Sequence, residues 1–272
     1  MNTNKKTFSL VLTALFTAII VAMAFTPLGY IPLVVIHATI IHIPVILGSL
    51  FCGPKKGAFL GFVFGLTSFI KNTLMPTTLS AFVFSPVLAV SVVGVSGIFK
   101  SFFICFIPRI LIGVVPYFVY MLIKKALSSK NKLVWSTVLN LVMCVFLFIG
   151  VKAFCKSFFT GTVNLIFSAV VSIVVFVLIE FAFIKKDADV LSFAYAGVSG
   201  ALVNTLLVMG GIFVLYRDSY AEALSISPDA VLGVIGGVIS FNGVIEAIVG
   251  AIIVCAVGVV LNRLYPITAH KN

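Results

Sequence analysis

Charge is what this chain has least of. Charged residues make up 9% of its 272 positions, whereas a soluble globular domain carries roughly 25%. The polar surface that a water-exposed fold requires is missing. The five cysteines, Cys52, Cys105, Cys144, Cys155 and Cys255, are scattered, with no CxxC pair and no His/Cys metal spacing, so the sequence offers neither a disulfide framework nor a metal site. No GxxxxGK[ST] occurs, which excludes ATP hydrolysis through a P-loop on this chain. HExxH, GxSxG and paired carboxylates are also absent; an enzyme has no visible chemistry here and no cofactor is implied. There is no arginine-rich voltage-sensor helix, no TVGYG-type filter, and no convincing inverted repeat.

What remains is long apolar runs punctuated by cations. Mean hydropathy is +1.29, so lipid must solvate most of the surface. The basic clusters are Lys5/Lys6, Lys55/Lys56, Lys124/Lys125 with Lys130 and Lys132, Lys185/Lys186, and Arg263 with Lys271. Every second loop is basic and those between are poorer in positive charge, the positive-inside pattern. It predicts a multi-pass protein of the cell membrane with both termini cytoplasmic. The net charge of +11 is no nucleic-acid signal, because the cations cluster at span ends instead of forming a stripe with interleaved aromatics. They suit the anionic headgroups of the lipid bilayer's inner leaflet.

A span needs about 20 apolar residues. On that scale spans are expected at 8–25, 36–51, 58–70, 102–123, 133–154, 163–184, 190–215 and 232–261. The first follows Lys5/Lys6 like a signal peptide, but its apolar run continues through Ala22, so an uncleaved span is expected. It ends at Thr26-Pro27-Leu28-Gly29-Tyr30-Ile31-Pro32. Residues 87–99 are apolar but too short to cross, and read as re-entrant or interfacial. The fifth and sixth spans are plain, with little polarity inside. An outer loop carries Arg217, Asp218, Glu222 and Asp229. With no long linker, residues 1–272 form a single transmembrane domain, all-α because lipid-exposed backbone must satisfy its own hydrogen bonds.

Two small-residue stripes recur every four positions: Ala14, Ala18 and Ala22, and Gly57, Gly61 and Gly65. Such stripes let another helix approach closely; either could pack within the chain or against a partner, and for the glycines internal packing is the expectation. Ionisable residues inside a span usually face the protein interior or a cavity. Arg109 lies fifteen residues before Lys124, some ~22 Å above the inner boundary, where it could hold a solute carboxylate bidentately. It could equally snorkel to headgroups or pair with an internal acid. Glu246 lies below mid-membrane, Asn242 one turn above it on the same face, and Asn204 at comparable depth; together they could bind a polar, uncharged group. His42 is near mid-membrane and His37 nearer the outside. Lys71 and Asn72 open the polar outer loop after the third span and could also meet a carboxylate.

These residues resemble the substrate-binding S components of energy-coupling factor (ECF) vitamin transporters. The resemblance rests on the Ala14/Ala18/Ala22 span, Thr26-Pro-Leu-Gly-Tyr-Ile-Pro, His42-Ile-Pro-Val-Ile, Gly53-Pro-Lys-Lys-Gly-Ala-Phe-Leu-Gly, Phe84-Ser-Pro and Pro108-Arg-Ile-Leu-Ile-Gly. It returns in Val208-Met-Gly-Gly and Asn242-Gly-Val-Ile-Glu-Ala. It covers about 8–123 and 190–264, and the last two segments look most like pantothenate-type members. The resemblance implies a six-helix core that captures one water-soluble vitamin, and a transmembrane coupling subunit docked on Ala14, Ala18 and Ala22. Two cytoplasmic ATPase subunits would supply the energy in this ABC importer. The chain departs from that pattern in having about eight spans; 133–184 reads as an inserted two-helix hairpin that leaves the topology of the core unchanged. Two other functions fit the residues: a proton-coupled secondary transporter using Glu246 and His42 as a relay, and a membrane assembly protein that binds no solute.

Overall fold

A computed structural model describes residues 2–32, 37–156, 158–184 and 188–267. Lys185, Lys186, Lys271 and Ile36, invoked above for topology and for the second span, lie outside the described residues. The first helix, α1 (Asn2–Ala24), turns Phe16, Ile20 and Ala24 into the core, the four-residue spacing of one helical face. Two of its hydroxyls are satisfied within the helix: Thr13 Oγ1 donates to the Ser9 carbonyl at 2.6 Å and Thr17 Oγ1 to the Thr13 carbonyl at 2.9 Å. That is the solution lipid demands of a polar group on a spanning helix.

The second expected span is corrected. The chain instead forms a short antiparallel ribbon, β1 (Tyr30–Pro32) with β2 (His37–Thr39), Tyr30 opposite Thr39. Helix α2 (His42–Cys52) begins only after it. Its 11 residues reach about 16 Å, roughly half a hydrocarbon core, yet every residue from His42 to Phe51 is buried. Gly53, at φ 90°, makes the turn into α3 (Pro54–Leu74), with Pro54 at the first helical position where its missing N–H costs nothing.

Residues 87–99 divide between two elements. After α4 (Ala81–Phe84), the Ser85 hydroxyl accepts from the Leu88 N–H and caps α5 (Pro86–Val93). Gly94, at φ 69°, reverses the chain into α6 (Ser96–Ile112), so that Gly97 lies against Ala89. The fourth span is likewise two helices, α6 and α7 (Val115–Leu127).

The glycine stripe of α3 explains how α3 and α6 pack. A Cβ at Gly61 would collide with the backbone of Arg109, one at Gly65 with the Cys105 carbonyl, and one at Gly57 with the Gly113 carbonyl. The two helices meet backbone to backbone, so this stripe is used inside the chain. Ser49 Oγ donates to the same Gly113 carbonyl at 2.5 Å, bringing α2 to the joint.

Residues 132–184 form a two-helix hairpin, α8 (Lys132–Cys155) and α9 (Gly161–Ile184). Its interior is more polar than expected: Ser136, Asn140, Asn164, Ser168 and Ser172 are all buried. Ser168 donates to the Asn164 carbonyl at 2.7 Å, Ser172 to the Ser168 carbonyl at 2.8 Å, and Asn164 crosses to the Lys152 carbonyl at 3.0 Å. Small polar side chains at a helix–helix seam allow close approach and add hydrogen bonds that lipid cannot replace.

Helix α10 (Ala188–Ala223) extends eight residues past the expected end, kinked at Tyr216. The Tyr216 hydroxyl is anchored on α6, 2.7 Å from Ser101 Oγ and 3.1 Å from the Gly97 carbonyl it donates to. Arg217 therefore lies on the helix, paired with Asp229 at 2.7 Å. The final span is broken as well: α11 (Val231–Val238), a π turn (Ile239–Gly243), then α12 (Val244–Leu264). Helices α10 and α12 pack most extensively, through Gly197 set against Gly250. Among the described residues, six helices are long and apolar enough to cross a membrane, namely α1, α3, α6 with α7, α8, α10, and α11 with α12.

At the end of the bundle carrying Lys124, Asp189 ties three helices. It accepts from Lys124 Nζ at 2.6 Å, Tyr120 at 3.3 Å and Asn262 Nδ2 at 2.9 Å. Asp189→Ala is expected to lower stability by roughly 1–3 kcal/mol, read as a fall in the thermal unfolding midpoint in detergent; an unchanged midpoint would show that the network contributes nothing.

Candidate functional site

The site forms around one carboxylate. Glu246, on the first turn of α12, is buried and each of its oxygens accepts a hydrogen bond. The Thr39 backbone N–H of the ribbon donates to Oε1 at 2.8 Å, and Thr205 Oγ1 of α10 donates to Oε2 at 2.9 Å. The Asn204 amide reaches the same carboxylate, and the Arg109 guanidinium of α6 attracts it through space. Three other elements converge on this one side chain of α12, which explains why Glu246 can lie among apolar helices at all.

Arg109 is itself buried. Its Nη1 donates to the Ile104 carbonyl at 2.8 Å, and the guanidinium stands 5.5 Å from the Phe64 ring and 5.1 Å from the Phe84 ring. The aromatic faces attract the cation and hold its plane. Arg109 and Glu246 are thus both buried inside the bundle.

Asn242 sits in the π turn immediately before α12 and is buried. A π turn widens one helical turn and re-aims its side chains, and such turns occur frequently at functional sites. Among the described residues, neither Asn242 Oδ1 nor Asn204 Oδ1 has a hydrogen-bond partner. Two buried amide oxygens left open are costly in a folded protein, and each is an acceptor for a donor on a solute.

His42, fully buried at the start of α2, packs beside Gly250 on α12. Gly250 lies one turn beyond Glu246, about 6 Å along the axis, and neither ring nitrogen of His42 has a hydrogen-bond partner among the described residues. His42 therefore borders the cluster. His37 has its backbone in β2; its side chain lies outside the description.

Lys71 and Asn72 are not brought to this cluster. They occupy the last turn of α3, ten residues beyond the Gly61–Arg109 contact and about 15 Å along the axis. Asn72 Nδ2 is engaged by the Ser68 carbonyl at 2.8 Å. The alanines lie elsewhere again: Ala14, Ala18 and Ala22 are exposed on the face of α1 opposite Phe16 and Ile20. Ala14 and Ala18 line a shallow groove with Leu10, Thr13, Thr17, Lys55, Lys56 and Phe59. Sequence reasoning missed Thr205 and Thr39. Thr205 had a signal, its adjacency to Asn204 on a span; Thr39 contributes only a backbone N–H, which no side-chain pattern reveals.

Thr205→Val, which removes one of the two hydrogen-bond donors to Glu246, is expected to cost roughly 1–3 kcal/mol in unfolding measurements, while Thr205→Ser retains wild-type stability. Equal losses for both variants would show that packing, and not the hydroxyl, matters at this position.

No protein-family model matches the chain. A pantothenic acid transporter, PanT, of Lactococcus lactis subsp. cremoris is 43% identical over 119 residues, covering 42% of this chain and 59% of that protein. A pantothenate transporter, PanT, of Leuconostoc mesenteroides subsp. mesenteroides is 28% identical over an alignment of 279 positions, 99% of this chain and 98% of that protein. The chain is similar to one bacterial transporter over part of its length and to another over nearly all of it, and with six membrane-length helices among the described residues it is a multi-pass protein of the plasma membrane.

Proposed function

We propose that this chain is the substrate-binding subunit of an ECF-type importer and that its solute is pantothenate. The observation that carries the reading is the buried cluster of Arg109, Asn204, Thr205, Asn242 and Glu246, in which one cation and two open amide oxygens are held among apolar helices. Pantothenate offers a matching set: one carboxylate, one amide N–H and two hydroxyls. Arg109 receives the carboxylate, charge-assisted and oriented by Phe64 and Phe84. Asn204 and Asn242 accept from the hydroxyl and amide donors. The similarity to two pantothenate transporters supports the choice of solute.

Transport is powered by partners in this reading. The chain lacks a P-loop, and Ala14, Ala18 and Ala22 are exposed on α1, which supports docking of a transmembrane coupling subunit there, with two cytoplasmic ATPases below it. Small exposed residues permit the close helix approach such a joint needs, and both termini are cytoplasmic. Lys71 and Asn72, near the outer end of α3, meet the arriving solute first. A proton-coupled secondary transporter is the second reading. It is favoured by His42 lying beside Gly250, one turn from Glu246, and it would accumulate pantothenate in liposomes under a pH gradient without ATP.

Titration of the detergent-solubilised protein with pantothenate is expected to give one-to-one binding without ATP. Arg109→Ala should weaken it about 10- to 100-fold, and should leave binding of pantothenol, the analogue with an alcohol in place of the carboxylate, close to the wild-type value. An equal loss for both compounds would remove the carboxylate from Arg109. Ala18→Trp is expected to preserve pantothenate binding and to abolish copurification with the coupling subunit; copurification at wild-type yield would sink the docking role.

A further inference from the structure

The inserted hairpin is the least explained part of the fold. Most of its surface faces outward, and nothing in the proposed solute site belongs to it. Its helix α8 nevertheless meets the core along one stripe: Leu139 and Met143 lie with Ile123, Leu127 and Tyr195, and the stripe continues toward the site. Met143 and Phe146 pack against Val198, Ala201 and Ala247, and α8 reaches the π turn directly. Those partners bracket the site residues on their own helices: Ala201 is one turn before Asn204 and Thr205, and Ala247 follows Glu246.

The closest approach is at Gly150. A Cβ placed there would lie 2.6 Å from Val244 Cβ and nearer still to one of its methyls. Both residues are buried. Val244 is β-branched and stiff about χ1, and the conflict is with its Cβ as well as with its methyls, so rotation cannot relieve it; the backbone must move. That backbone is the junction of the π turn with α12, two residues after Asn242 and two before Glu246. On the opposite side the turn is met by Thr205, which lies against Gly243. The turn is therefore held between α8 and α10.

We infer that the inserted hairpin is a buttress of the solute site: Gly150 of α8 fixes the π turn through Val244, and so sets where Asn242 and Glu246 point. Gly150 is a positioning residue, acting on the solute through the turn. The assignment of the bound solute rests on the reading above; the mechanical coupling does not.

Two measurements on the full-length protein in nanodiscs separate the two. The first is amide hydrogen exchange of residues 239–246 without solute; the second is pantothenate titration. Gly150→Ala is expected to speed exchange in 239–246 while leaving 42–52 protected, and to weaken pantothenate about tenfold. Gly150→Ala combined with Val244→Gly, which moves the lost volume across the contact, should restore most of both. Ile149→Ala, one position along on the exposed face, should change neither. Wild-type exchange and affinity in Gly150→Ala would overturn the buttress, as would failure of the double variant to recover. If the wild type binds no pantothenate but Gly150→Ala still loosens 239–246, the buttress stands and the solute assignment falls.

Discussion

A carboxylate inside a membrane bundle has no water to appeal to, and unpaired it would neutralise or unfold its surroundings. Glu246 is stabilised by donors drawn from distant parts of the chain: the ribbon before α2 through Thr39, and α10 through Thr205 and Asn204, with Arg109 of α6 supplying charge. Each donor is useful only if its own element is correctly placed. The ribbon must end beside α12, α10 must turn its polar pair inward, and α6 must bring Arg109 to the right depth. The arrangement of the core can be read outward from that one residue.

Depth in turn depends on backbone contacts. Gly61 sits on the backbone of Arg109, Gly57 meets Gly113, and Gly197 meets Gly250. Where lipid is as apolar as leucine, helices gain little from burying apolar side chains against one another and associate by close packing. The glycines thus fix how far Arg109 stands from the ribbon and how near His42 comes to α12. At the other end the hydroxyl of Tyr216 does comparable work, bonding to Ser101 and Gly97 at the kink in α10.

The membrane character of the chain, its helical class and the presence of polar side chains at Arg109, Asn204, Asn242 and Glu246 among apolar helices were legible because a polar group in an apolar run is conspicuous. The breaks were not. Spans read as continuous are divided at Gly113, bent at Tyr216 and widened at 239–243, and the second is half replaced by a ribbon. Hydropathy averages over such features, since a π turn and an α turn of the same residues are equally apolar. Thr39 escaped notice because the group it offers belongs to every residue except proline. The polarity of the hairpin escaped for a related reason: serine and asparagine every four residues barely lower the mean of a helix that is otherwise valine and phenylalanine.

The seam between α8 and α9 has a bearing on how the protein is made. Its hydrogen bonds run between residues close in sequence, such as Asn164 to the Lys152 carbonyl, whereas the Thr39–Glu246 bond spans 207 residues. The hairpin can close on itself as it leaves the ribosome, and it stands complete before α10 and α12 exist. Because the entropy of closing a loop grows only with the logarithm of its length, a self-contained pair of helices between the two halves of the core delays their meeting in time while barely raising its thermodynamic cost. A nascent chain halted after α9 would hold α1 to α7 with Arg109 still waiting for its acid.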